Sequence, residues 1–310
     1  MGANFGETSP KPWRRRVAPC DPGAALRDFY QESWFQGTSR MSFAVRRLVQ
    51  LTFLVASIVG VASAVAFAQG PLPIAQAPVS ADFMTRFDWR MSAALLQHPD
   101  PRFTWDTHWA GDFDLFSYPK GRATFLADYQ ALLGSEFRPF DPYQSNYLLE
   151  ASGSYFAGET EVAGVLSHIS RHLGDRSKRI AVAENSLGPR VLRRVGGDGR
   201  SLDVRVDVRK VIARAYDDYS WIEELDLTVR RRISPRNSLY ARGYGELIQV
   251  DPSIANRGNQ HGGKIEAGLK VQGASGAMEF FAGGEQMIDA DPLDRLPRRW
   301  GYIGFRLLGR

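Results

Sequence analysis

From residue 110 onward, apolar and polar side chains alternate with a period of two. Ala123, Phe125, Ala127, Tyr129, Ala131 and Leu133 interleave with Arg122, Thr124, Leu126, Asp128 and Gln130. The cleanest run sets Leu202, Val204, Val206 and Val208 against Asp203, Arg205, Asp207 and Arg209. Leu225, Leu227 and Val229 likewise oppose Glu224, Asp226, Thr228 and Arg230, and Ile265, Ala267 and Leu269 oppose Lys264, Glu266 and Lys270. Successive side chains of a strand point to opposite faces, so this pattern predicts strands rather than helices. The segments are 111–119, 121–134, 145–157, 159–173, 187–195, 201–214, 220–233, 236–250, 262–273, 276–287 and 299–309. Gly196-Gly197-Asp198-Gly199 and Ser234-Pro235-Arg236-Asn237 read as tight turns, and 134–142 and 251–261 as longer loops.

A soluble sandwich also alternates, but its polar face meets water and its turns come every 8–12 residues or so. Here the segments are long and the polar face carries ladders of both charge signs. That suits a barrel lumen in which opposite charges pair, with Ala, Gly, Val, Leu and Tyr facing lipid. Tyr129, Tyr143, Tyr147, Tyr155, Trp221 and Trp300 near segment ends fit aromatic girdles. The expected fold is therefore all-β, an antiparallel transmembrane barrel over 110–310. Single-chain barrels close with even strand numbers, so twelve strands are expected, with 101–109 or 179–184 holding the twelfth and ten as the smaller alternative.

Ahead of the barrel, 69–79 reads as a Pro/Ala-rich linker, and Ser80 caps a short helix over 81–97. Its apolar positions are Phe83, Met84, Phe87, Met91, Leu95 and Leu96, and His98-Pro99-Asp100-Pro101 stops it. The span 69–109 is thus a linker and helical lead-in. Residues 41–68 have the form of a cleaved export signal: Arg46 and Arg47, an apolar stretch over 48–61, and Ala66-Phe67-Ala68 before Gln69. The competing reading is a single membrane-spanning helix. Met41 is read as the translational start, which leaves 1–40 as a doubtful or disordered extension.

The net charge of +5 over 310 residues, with no long Lys/Arg run, lacks the clustered footprint of a nucleic-acid binder. The single cysteine, Cys20, falls in the doubtful extension, so a mature chain offers neither a disulfide framework nor a thiolate metal site.

Chemistry concentrates in 158–176. His168, Ser170 and His172 lie at i, i+2 and i+4, on one face of an extended chain, and Asp175 and Arg176 follow. Ser and His on one rigid face are the minimum equipment for nucleophilic catalysis, because His can take the Ser proton. The plainer reading is a polar row hydrogen-bonded across the lumen, and alternation alone leaves open which face it occupies. His168 and His172 are too widely separated for joint metal ligation. Asp175 can contribute one oxygen to Ca²⁺, and no cofactor is expected. His98, His108 and His261 read as surface residues.

The His168-Ile169-Ser170 triplet resembles the His-x-Ser of two outer-membrane enzyme families, phospholipase A and the lipid A deacylase. The resemblance implies His168 as base and Ser170 as nucleophile, with Asn185 or Glu184 on the next strand as the orienting group and His172, Asp175 and Arg176 around them. This chain continues with Arg171-His172 where phospholipase A has Asn-Gly. The longer run His-Ile-Ser-Arg-His-Leu-Gly-Asp over 168–175, together with 98–103 and Asn185-Ser186-Leu187-Gly188, resembles an uncharacterised family of bacterial envelope proteins, which implies location rather than activity. Two function classes follow. One is an outer-membrane lipid acyl-ester hydrolase acting on phospholipid or lipopolysaccharide. The other is a non-catalytic barrel, a narrow channel or structural envelope protein with a charge-paired lumen.

Overall fold

The computed structural model describes residues 79–174 and 180–309. In them twelve strands close into an antiparallel barrel: β1 (Asp82–Gln97), β2 (Trp105–Tyr118), β3 (Gly121–Gly134), β4 (Asp141–Ala157), β5 (Thr160–Leu173), β6 (Val182–Gly197), β7 (Arg200–Ala215), β8 (Tyr219–Arg232), β9 (Asn237–Val250), β10 (Gln260–Gln272), β11 (Gly276–Met287) and β12 (Arg298–Gly309). Each strand pairs with its sequence neighbours, and β1 closes on β12, with Ala93 opposite Phe305 and Leu95 opposite Ile303. Closure leaves no free sheet edge, which a spanning sheet requires where no water can satisfy N–H and C=O groups. The export-signal segment, the extension before it, Cys20, Asp175 and Arg176 lie outside the described residues.

The twelfth strand is neither 101–109 alone nor 179–184. It is β1, the segment whose apolar spacing predicts a helix. Phe87, Met91 and Leu95 recur every four residues, which fits a helical face and equally two periods of a strand. Trp89 and Ala93 fill the intermediate outward positions, while Arg86 and Arg90 turn inward. Barrel closure decides between the two, because β2 and β12 would otherwise each present an open edge. Near its start β1 carries a register shift between Phe83 and Arg86, and Met84 there has φ 49°.

Inside and outside follow the alternation. Arg122, Asp203, Arg205, Asp207, Arg209, Glu224 and Asp226 are buried, whereas Leu149, Tyr155, Leu166, Val191, Val229, Leu239 and Ile303 are exposed on the outer surface. This contiguous apolar belt around a closed sheet is the lipid-facing surface of a transmembrane barrel. The lumen is filled by ion pairs. Arg190, fully buried, sits between Asp207 at 2.6 Å and Glu150. Arg122 bridges Glu161 (2.8 Å) and Asp114 (3.0 Å), Arg209 meets Glu224 at 2.5 Å, and Arg306 joins Glu266 (3.1 Å) and Glu279 (2.6 Å). Such pairs offset the desolvation of their members, and removing one member leaves an uncompensated charge.

The two ends of the barrel differ. At one end the strands are joined by short turns at 119–120, 158–159, 198–199, 233–236 and 273–275, with Gly158 (φ 63°) and Gly196 (φ 95°) supplying left-handed backbone. At the other end the described connections are mostly longer, and parts of them close over the lumen. Phe103, Tyr143, Tyr219, Ile288, Ala290 and Trp300 form an apolar cluster there. Tyr143 and Trp300 therefore belong to this inner cluster and not to an aromatic girdle, since both fall on the inward parity of their strands. Arg257 grips Asp289 (2.6 Å) and Asp218 (2.7 Å), and Arg102 joins Asp100 and Asp291, both at 2.7 Å. His108 is another inward residue: it is buried on β2, 3.2 Å from both Asp106 and Asp128, and not at the surface.

Candidate functional site

Along β5 the odd residues Glu161, Val165, Ser167, Ile169 and Arg171 are buried, and the even residues Val162, Gly164, Leu166, His168, Ser170 and His172 face outward. The three polar residues of the His-x-Ser-x-His row thus stand on the lipid-facing surface, near the long-loop end of the strand. Their inward neighbours brace them. Ile169 contacts Leu148 and Leu126 in a small buried cluster, and Arg171 donates to the Asp289 carbonyl at 3.3 Å. The first contact packs the backbone under the row, and the second ties it to the β11–β12 loop.

Strand register puts His168 directly opposite Asn185 of β6. The His168 Nδ1 lies 2.8 Å from Asn185 Oδ1. With Nδ1–H donating to that oxygen, Nε2 keeps its lone pair, which is the tautomer a general base requires. Glu184, the other residue expected to fill this role, is excluded by parity: it is buried on the inner face, opposite Ile169. Immediately after Asn185 the β6–β7 pairing shifts register, so that Asn185 meets Ala213 while Ser186 meets Val211. The extra β7 residue, Ile212, bulges outward and is 55% exposed. A bulge re-aims neighbouring side chains and is a common feature beside functional residues.

Ser170 is paired with His172 rather than with His168. His172 Nε2 lies 3.3 Å from Ser170 Oγ, and its ring stands edge-on to Tyr147 at 5.5 Å between centroids. Tyr147 is the register partner of Ser170. It begins an outward aromatic row, with Tyr129 at 5.1 Å and Trp109 a further 5.6 Å on, connected rung to rung across β4, β3 and β2. Aromatic rows of this kind mark the lipid–water boundary of a barrel. Ser170 therefore lies between two imidazoles at the level of that boundary.

None of these residues lines the cavity of about 430 Å³ that opens at the short-turn end among Arg86, Asp88, Asp112, Arg230, Lys270 and Glu279. No group of three or more His, Cys, Asp or Glu able to hold a metal ion occurs among the described residues. Alternation could not select Asn185 over Glu184 as the partner of His168. The outward parity of Asn185 was its one signal, and only the register of β5 with β6 makes the pair.

No family model matches the chain, and no curated relative matches it in sequence. Among solved structures it is similar to the outer membrane protein Omp33 of Acinetobacter baumannii, at 8% identity over 72% of this chain and 97% of that one, TM-score 0.36. It is similar to LpxR from Salmonella typhimurium at 7% identity over 72% and 99%, TM-score 0.41. The translocator domain of the autotransporter NalP from Neisseria meningitidis matches at 12% identity over 86% and 96%, TM-score 0.35. These likenesses are remote, and the fold stands on the strand pairing itself.

Proposed function

We propose that the protein is a bacterial outer-membrane lipid acyl-ester hydrolase, with Ser170 as nucleophile, His168 as general base and Asn185 as the group that holds the base. The observation that carries this reading is the outward His168–Asn185 hydrogen bond next to Ser170 on a largely apolar surface. Polar and ionisable groups on a lipid-facing surface are unfavourable and rarely occur without a function. The inner arginines Arg122, Arg190, Arg209 and Arg306 need no such explanation, since carboxylates match them within the lumen.

In acylation, rotation of Ser170 about its Cα–Cβ bond turns the hydroxyl from His172 toward His168 Nε2, within reach of i,i+2 side chains whose Cα atoms lie about 6.6 Å apart. His168 takes the proton as Ser170 Oγ attacks the ester carbonyl, and returns it to the leaving alcohol. Asn185 keeps the imidazole in the required tautomer. The substrate is a membrane lipid, phospholipid or lipopolysaccharide, whose ester carbonyls lie at the level of the aromatic row. Export through an N-terminal signal and insertion with short turns inward and long loops outward would put the site in the outer leaflet. The reading uses no cofactor. A channel is disfavoured by the apolar cluster and Arg–Asp pairs that fill the long-loop end.

The test is fatty-acid release by refolded protein from vesicles of phospholipid and, separately, of lipopolysaccharide, with and without Ca²⁺. Release that disappears in Ser170→Ala and His168→Ala while both variants keep the folded barrel supports the proposal. No release by the parent, or equal release by the variants, overturns it and leaves a structural envelope barrel as the better account.

A further inference from the structure

The arrangement assigns more to His172 than support of its neighbour, and we infer that it is the base of the second half-reaction, activating the water that releases the acyl group from Ser170. This inference rests on the hydrolase reading above and divides the work between the two imidazoles flanking the serine. His168 lies two residues farther from the long loops than Ser170, opposite Leu149 on one side and Asn185 on the other. His172 is two residues nearer the long loops than Ser170 and is exposed, opposite Ser145. A lipid ester bound at Ser170 has its acyl chain running down the apolar surface past Leu149 and Leu166, and its alcohol portion up toward the loops. Once the alcohol has left, the vacated side of the acyl group is the side His172 occupies, and it is the side from which water arrives.

The geometry suits this role. His172 Nε2 is 3.3 Å from Ser170 Oγ in the resting rotamer. The acylated side chain swings back to that rotamer once the alcohol has left, so a water on the carbonyl of the acyl-serine lies within reach of the same nitrogen. The edge-on contact with Tyr147 holds the ring at that height. His168, by contrast, is held from the other side by Asn185, away from the water-exposed end. The step balances: His172 Nε2 takes one proton from water as the hydroxide oxygen bonds to the acyl carbon. The tetrahedral intermediate collapses, the bond from carbon to Ser170 Oγ breaks, and Oγ recovers that proton from His172. Fatty acid leaves, and both imidazoles return to their starting state.

The experiment follows pre-steady-state hydrolysis of a chromogenic acyl ester in mixed micelles by the refolded full barrel, with intact-mass analysis of Ser170 acylation. His172→Ala is expected to keep a stoichiometric burst of alcohol, to slow turnover about 10²–10⁴-fold, the range for loss of a positioned base, and to accumulate the acyl adduct. Hydroxylamine, a nucleophile that needs no base, should restore turnover of the adduct. His172→Gln provides a second variant of similar size, so that a packing defect against Tyr147 is separated from loss of the base. If both variants turn over like the parent, or lose burst and turnover together, His172 is not the deacylation base. If the parent forms no Ser170 adduct and releases no acid, the hydrolase reading itself falls, and this inference with it.

Discussion

The two faces of β5 and β6 carry similar residue types and obey different rules. Inward lie Arg171, Glu184, Ser186 and Arg190, and outward lie His168, Ser170, His172 and Asn185. Arg190 is enclosed by Glu150 and Asp207, and its reason for being there is complete within the lumen. The outward group is small and surrounded by Leu149, Leu166, Leu187 and the aromatic row. Arg190 is accounted for by its partners inside the barrel, while the row at His168 stands on a surface that favours apolar side chains.

Arg190 offers the most severe test of this contrast. Arg190→Ala leaves Glu150 and Asp207 facing each other without that cation, and should lower stability by about 3–5 kcal/mol, read as the urea midpoint of the detergent- or vesicle-inserted barrel. A variant as stable as the parent would remove the structural account of the lumen. Next comes Asn185→Ala, which frees the ring of His168. It should lower turnover about 10²-fold, at the small end for a positioned base, with the unfolding midpoint unchanged. A loss of stability without a selective loss of turnover would make Asn185 an ordinary lattice residue.

A smaller effect is expected at His168 itself when stability alone is read. His168→Leu replaces a polar group near the lipid boundary, where such groups cost about 0–1 kcal/mol, so the barrel should be as stable as the parent or slightly more so. Destabilisation by several kcal/mol would show that the outward row serves the fold. The smallest effect concerns the long-loop end. Burial alone would raise the Asp289 carboxyl, but hydrogen bonds from Arg257 and Tyr219 outweigh it and hold the group below its ordinary value. A depressed carboxylate stabilises above its unfolded value, about 3.9, and this contribution is lost as pH falls through the folded value. Protease cutting in the β11–β12 loop should therefore stay constant from neutral pH down to about 4 and rise only below it. A rise already at about pH 6 would contradict that linkage.

Much of this was legible in the chain. Period-two alternation is a property of side-chain direction within a single strand, so Asp203, Arg205, Asp207 and Arg209 announced an inner face before any partner was known. The parity requirement for closure announced a missing strand. Its location was not legible, because Phe87, Met91 and Leu95 satisfy a helix and a strand alike. Tyr143 and Trp300 differ from expectation for a related reason, since being near a strand end says nothing about which side the residue faces. His108 differs because β2 begins at Trp105, inside the expected lead-in.

What the chain determined by itself was the set of strands other than β1, the charge-bearing face and the His-x-Ser-x-His row, all of which depend on spacing along one backbone. What only the tertiary structure decided was which face of β5 meets lipid, that β1 completes the ring, that Asn185 and not Glu184 meets His168, and that Ser170 leans on His172. All but the last depend directly on register between strands, and the last depends on the Tyr147 ring that register sets beside His172. A shift of one residue exchanges the two faces, and nothing within a single strand reports what its neighbour sets opposite it.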